Sequence, residues 1–118
     1  MKNARVYLDY AAATPLDERV ADVMSKFQAS FANPSAMYQS ARLAKEMLME
    51  AHKLVGMFLG ANSDEIVFTS GATESNNLAI LGSARAVGNG HIVSIATEHT
   101  SVRGPLKQLE AEGFTVTN

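Results

Sequence analysis

Residues 69–77 read Thr-Ser-Gly-Ala-Thr-Glu-Ser-Asn-Asn, between the apolar run Ile66-Val67-Phe68 and the apolar run Leu78-Ala79-Ile80-Leu81. The first run is short and β-branched, as in a strand, and the second follows small and hydroxyl-bearing residues of the kind that start helices. The stretch therefore reads as a strand handing over to a helix. From here to the C-terminus the pattern repeats: strand-like 66–69, helix 74–87, strand 92–96, helix 102–112, strand 114–116. Strands alternating with helices imply an α/β layer with parallel strands covered by helices. Gly88-Asn89-Gly90 and Gly113 mark the helix exits.

The N-terminal half has a different grammar. After the short extended run Val6-Tyr7-Leu8, Thr14 and Pro15 suit an N-cap and a first-turn proline, with Asp17 in the first turn, so a helix is predicted to about Phe27. Val20, Val23, Met24 and Phe27 form its apolar stripe. Asn33-Pro34 is a break. A longer helix is predicted over 36–58, with Leu43, Met47, Leu48, Ala51, Leu54, Val55 and Phe58 on one face and Gly60 as terminator. Met37, Met47, Met49 and Met57 read as core gap fillers. The shift near 61–64 divides the chain into an N-terminal arm and helical segment, 1–61, and an α/β segment, 62–118.

Composition excludes several classes. At 118 residues, 47% hydrophobic and 19% charged, the chain is in the range of one soluble globular domain. A net charge of -2 with scattered basic residues gives no track for a phosphate backbone, so nucleic acid is not the expected partner. Apolar runs such as 54–59 fall far short of the ~20 residues that span a bilayer, and no signal-peptide pattern opens the chain. No membrane is expected, and a cytoplasmic location is. With no cysteine there is no disulfide, no thiolate metal site and no cysteine nucleophile in this chain. No His/Asp/Glu spacing suggests a metal site.

Two turns carry possible chemistry. A helix N-terminus has free backbone N–H groups and a partial positive charge, and Gly71 and Ala72 let an anion approach while Thr73 adds a hydroxyl. The same residues also suit a plain capped turn with Ser70 or Thr73 as the cap. Neither G-x-G-x-x-G nor G-x-x-x-x-G-K-[ST] is present, which disfavours a nucleotide. The second turn, Thr97-Glu98-His99-Thr100-Ser101, follows the strand 92–96 and could face the same crevice beyond the strand ends. His99 could stack on a flat ring or carry protons there, or be a cap or surface residue. His52 and His91 read as structural, and Glu74 and Glu98 as carboxylates at helix starts.

Taken in order, Val6-Tyr7-Leu8-Asp9-Tyr10-Ala11-Ala12-Ala13-Thr14-Pro15, Asn33-Pro34-Ser35, 65–77 from Glu65 through Phe68-Thr69-Ser70-Gly71-Ala72-Thr73-Glu74-Ser75-Asn76-Asn77, and Thr97-Glu98-His99 resemble the cysteine desulfurases of the class V aminotransferase group. The resemblance covers essentially the whole chain. It implies pyridoxal 5'-phosphate (PLP) as cofactor, with the phosphate held by Gly71, Ala72 and Thr73, and His99 stacked on the ring and assisting proton transfer. It further implies the N-terminal part of an aspartate-aminotransferase-like, fold type I large domain: two helices, then β-α-β-α-β with an incomplete sheet. The reaction it implies moves sulfur from L-cysteine to an enzyme persulfide, releasing alanine, as in iron–sulfur cluster assembly.

The departures bear on activity. Tyr38 and Ala41 stand where the family pattern reaches a histidine and a glycine. None of Lys2, Lys26, Lys45, Lys53 and Lys107 lies in the family's anchoring-lysine motif, and no sulfur-accepting cysteine is present. As this chain, the protein is expected to be catalytically incomplete. In the family the strand matching 66–69 lies across the sheet from those matching 92–96 and 114–116, so unpaired edges, rearrangement or strands from a homo-oligomer or complementing chain are expected. Two alternatives are a short binding or assembly module that pairs with a desulfurase-like chain, and a stand-alone α/β domain for another phosphate ligand.

Overall fold

The computed structural model describes residues 6–28 and 31–118. In chain order the elements are α1 (Glu18–Gln28), α2 (Gln39–Leu59), a 3-10 turn (Ser63–Glu65), α3 (Ala72–Val87), β1 (His91–Val93), α4 (Thr100–Ala111) and β2 (Thr115–Thr117). They fall into two compact units, Met1–Ile66 and Val67–Asn118. This is the mixed helix and strand content of an incomplete α/β domain.

In the first unit, α1 starts later than Thr14-Pro15 suggests. The Asp17 side chain, not Thr14, accepts from the Arg19 N–H at 2.9 Å, while the Asp17 carbonyl accepts from Val20 and Ala21. A paired Asp17–Arg19 carboxylate and guanidinium reinforces that start. Helix α2 ends where Gly60 adopts φ 69°, the left-handed conformation that glycine takes without a Cβ penalty. Gly60 N–H donates to Met57 and Ala61 N–H to Gly56, the double closure of a Schellman turn. This fold-back lays the Ala61 carbonyl on Gly56, where a Cβ would sit 2.8 Å from its oxygen. The 3-10 turn follows with Asn62 and Glu65 capping each other.

The apolar faces predicted for α1 and α2 are largely exposed, with Met47, Ala51 and Val55 of α2 half-buried. Val20, Val23, Met24 and Phe27 are exposed, as are Leu43, Leu48, Leu54 and Phe58, the last at 88%. Ala41 and Gly56 are the buried residues of α2. Met37, Met49 and Met57 are also exposed rather than filling a core.

The second unit owns a small core. Helix α4 buries Ser101, Pro105, Leu106 and Leu109, a stripe at helical spacing, and packs against α3 and β2. Leu109 is fully enclosed. Pro105 sits inside the helix, giving up one backbone bond for a place in this stripe. Gly113 at φ 98° ends α4, with Gly113 N–H on Glu110 and Phe114 N–H on Leu109, a second Schellman closure that turns the chain straight into β2. Strands β1 and β2 pair in parallel, His91 opposite Thr115, Ile92 opposite Val116 and Val93 opposite Thr117. Segment 66–69, expected as a strand, joins no ladder: among the described residues the sheet consists of β1 and β2.

Two glycine substitutions test this packing in opposite directions. Gly56→Ala, forced against a backbone oxygen, lowers stability by about 1 kcal/mol in a urea melt despite alanine's better helix propensity. Gly82→Ala, in α3 with open space around the new Cβ, raises stability by about 1 kcal/mol.

Candidate functional site

The turn before α3 is held by its own hydroxyls. The Thr69 and Ser75 hydroxyl oxygens lie 2.6 Å apart, and both hydroxyls can reach the Gly71 carbonyl at 3.3 Å. The Glu74 carboxylate bends back to accept the Ser70 N–H at 2.7 Å and the Ser70 hydroxyl at 2.6 Å. These two bonds, the hydroxyl first and the N–H second, hold the Glu74 carboxyl below its ordinary value of 4.5.

Ser70 is thus occupied by Glu74 and does not cap the helix, and neither does Thr73. The N-cap position is Gly71, in extended backbone, with no side-chain bond to the helix. The first intrahelical bond is Ser75 N–H to the Gly71 carbonyl. The N–H groups of Ala72, Thr73 and Glu74 therefore have no acceptor within the helix. Gly71, Ala72 and Thr73 are exposed to solvent. What remains is a small, open cradle of backbone donors at the positive end of a helix of 16 residues. The donor set fits a phosphate: it is backbone N–H and hydroxyl, and the Glu74 carboxylate of the same turn is turned onto Ser70.

His99 caps α4. Its Nδ1 accepts from the Ser101 N–H at 3.1 Å and lies 2.8 Å from the Ser101 hydroxyl oxygen. That hydroxyl in turn receives a bond of 2.8 Å from the side-chain amide of Asn76, on the second turn of α3. Asn76 of α3 is thereby linked to His99 at the start of α4 through the Ser101 hydroxyl, in a chain of bonds that does not include Gly71, Ala72 or Thr73. Sequence reasoning singled out the two turns but missed Asn76 and Ser101. Their only signal was a polar residue at each of two helix starts, and nothing in the sequence pairs positions 25 apart.

The other histidines serve the scaffold. His91 Nε2 meets the Thr117 hydroxyl at 2.8 Å across the two strands, and His52 Nδ1 lies 3.2 Å from the Ser63 carbonyl. Tyr38 stands at the N-cap of α2 without a side-chain bond, and Ala41 is fully buried one turn on. An apolar groove of about 480 Å³ between α3, α4 and β1, lined by Ile80, Val87, Ile92, Val102 and Phe114, lies away from residues 71–73. Its walls are mainly apolar, with Ser83, Asn89, His91, Ser94 and Glu98 at its polar positions. Among the described residues no three His, Cys, Asp or Glu side chains converge as a metal site would require.

The whole described chain has known counterparts. Residues 6–118 match the family described as aminotransferase class-V. The cysteine desulfurase IscS of Glaesserella parasuis is 46% identical over 118 residues, covering 95% of this chain and 29% of that protein. The cysteine desulfurase IscS of Rickettsia felis is 44% identical over 119 residues, covering 98% of this chain and 29% of that protein. Among solved structures, SspA in complex with cysteine is similar with a TM-score of 0.84 at 44% identity, over 94% of this chain and 33% of its own. DndA from Streptomyces lividans follows with a TM-score of 0.73 at 40% identity, over 94% of this chain and 32% of its own. The chain thus spans less than a third of the length of the relatives it matches.

The bonds to Glu74 give a pH signature. A carboxyl whose folded pKa is depressed contributes stability above its unfolded pKa, and that contribution is lost as pH falls through the folded value. In a carbon-13 titration Glu74 is expected to have its midpoint below 4.5, and Ser70→Ala, which removes the larger of the two causes, to move it upward. An unchanged midpoint in Ser70→Ala would contradict the bonding described.

Proposed function

The chain belongs to the aminotransferase class-V family, and from that premise we propose that it is the N-terminal part of a PLP-dependent cysteine desulfurase, carrying the cofactor's phosphate cradle and ring-facing histidine. The observation that supports this reading is the uncapped N-terminus of α3 in a turn whose nearby carboxylate is engaged elsewhere. Gly71, Ala72 and Thr73 would hold the PLP phosphate through backbone N–H groups and the Thr73 hydroxyl. His99, at the head of the neighbouring helix, would pack on the cofactor ring and exchange a proton through its imidazole. Bound PLP supplies the electron sink for cleaving the C–S bond of L-cysteine.

This chain's part is binding and orientation. It contains no cysteine to take sulfur as a persulfide. Release of alanine with sulfur transfer is accordingly the proposed activity of the complete enzyme, in the cytoplasm and for iron–sulfur cluster assembly. Among the described residues no helix is long and apolar enough to cross a membrane.

A second observation favours association. Exposed Leu43, Leu54 and Phe58 on α2 and Val23 and Phe27 on α1 leave apolar faces that water does not favour. A further chain would cover them, either a second copy or a complementing desulfurase-like polypeptide. Sedimentation of the purified chain is expected to show a dimer or larger species; a stable monomer at high concentration would count against this.

The cofactor reading is tested by removing one backbone donor. Proline is tolerated at the first helical position, and Gly71 is already in the extended conformation that a following proline demands. Ala72→Pro should keep the helix and weaken PLP binding about tenfold in an absorbance titration, a charge-assisted hydrogen bond being worth ~1.5–3 kcal/mol. Pyridoxal lacking the phosphate should bind weakly and equally to both forms. Undiminished PLP binding by Ala72→Pro, or equal affinity for pyridoxal and PLP, would overturn the assignment.

A further inference from the structure

We propose that Ser101, held by Asn76, is a positioning residue that fixes the protonation of the His99 ring, keeping Nδ1 an acceptor and the proton of the neutral imidazole on Nε2. The inference rests on the proposed function only for what Nε2 then faces; the tautomer itself follows from the bonds. A backbone N–H can only donate, and that of Ser101 points at Nδ1 from 3.1 Å. Nδ1 must therefore present its lone pair. The Ser101 hydroxyl oxygen lies 2.8 Å from the same nitrogen and is itself 2.8 Å from the Asn76 amide nitrogen. An amide NH₂ also only donates, so the hydroxyl oxygen accepts from Asn76 and turns its own hydrogen to Nδ1.

Two donors thus converge on one ring nitrogen, and the direction of the chain Asn76 to Ser101 to His99 is set at its far end. The reverse polarity, with Nδ1 protonated, would set its hydrogen against the Ser101 N–H. Burial protects the arrangement: Ser101 is 7% exposed, while His99 itself is open to solvent. Water has little access to the hydroxyl that relays the bond and free access to the ring that uses it. With Nδ1 engaged, Nε2 is the atom that carries a transferable proton, so His99 meets a ligand as a donor at Nε2 rather than as a base there.

A role confined to capping α4 would be met by the Ser101 N–H alone, which survives any side-chain change. The hydroxyl's contribution is therefore separable by a measurement on the ring. In two-bond proton–nitrogen spectra of the histidine-labelled full chain, without cofactor and at mildly alkaline pH, wild-type His99 is expected to show Nδ1 as unprotonated and Nε2 as protonated. Ser101→Ala should lower the preference for that tautomer by roughly tenfold, the loss of one ordinary hydrogen bond. Ser101→Thr, which keeps a hydroxyl, should restore it. Asn76→Asp inverts the far end, since a carboxylate accepts the Ser101 hydrogen, and should raise the population with Nδ1 protonated.

A wild-type ring with Nδ1 protonated overturns the proposal. So does a Ser101→Ala ring unchanged in a spectrum that remains dispersed. Should Ser101→Ala unfold α4, Asn76→Asp carries the test, and an unaltered tautomer there overturns the proposal as well. Because no cofactor is present, failure here leaves the PLP assignment standing, and failure of PLP titration leaves the tautomer result standing.

Discussion

The buried stripe of α4 is the constraint on which the rest of the second unit depends. Pro105, Leu106 and Leu109 pack inward, Leu109 to complete enclosure. This stripe is what α3 leans on, and the Leu109 carbonyl receives Phe114 N–H as the chain leaves for β2. Fully burying one leucine contributes ~1.5–3 kcal/mol, so in a core this small a few side chains decide whether two helices and two short strands stay together. Ser101 extends the same stripe to the N-terminal end of the helix. There the apolar contact gives way to the hydrogen bonds that hold His99 and reach Asn76 on α3. Packing and site are consecutive stretches of one helix face.

The elements with strong local grammar were legible in the sequence. Helix α2 and its Gly60 terminator, α3 with Gly88 behind it, and α4 with Gly113 behind it follow from apolar spacing and left-handed glycine positions. The start of α1 was not, because Thr14-Pro15 suits a cap with Asp17 inside the first turn, whereas it is the Asp17 side chain that accepts from Arg19 and opens the helix. Pairing of 66–69 was not legible from composition either, since a β-branched run says nothing about whether a partner strand is at hand. Amphipathic spacing on α1 and α2 correctly marks which faces are apolar and is silent on what covers them.

The candidate site shows the same division. Residues 71–73 were visible as a small-residue turn before a helix, but whether a side chain caps that helix depends on where Ser70 and Glu74 point. Their mutual bonds take the obvious cap away and leave the backbone donors open. His99 was visible, whereas its orientation depends on Ser101 and on an asparagine from another helix. On the proposed function, a chain of the aminotransferase class-V family without a cysteine would contribute cofactor binding and leave sulfur acceptance to the rest of the complete enzyme.

The central claim is that the open N-terminus of α3 receives the cofactor's phosphate, and amide chemical shifts report on it most directly. The measurement is a proton–nitrogen correlation titration of the labelled chain with inorganic phosphate and, separately, with PLP. The account predicts that the Ala72 and Thr73 amides move with both ligands along saturating curves, while the His99 ring signals move with PLP alone. Phosphate that leaves those amides unmoved, with PLP perturbing only the apolar groove around Ile92 and Phe114, would contradict it.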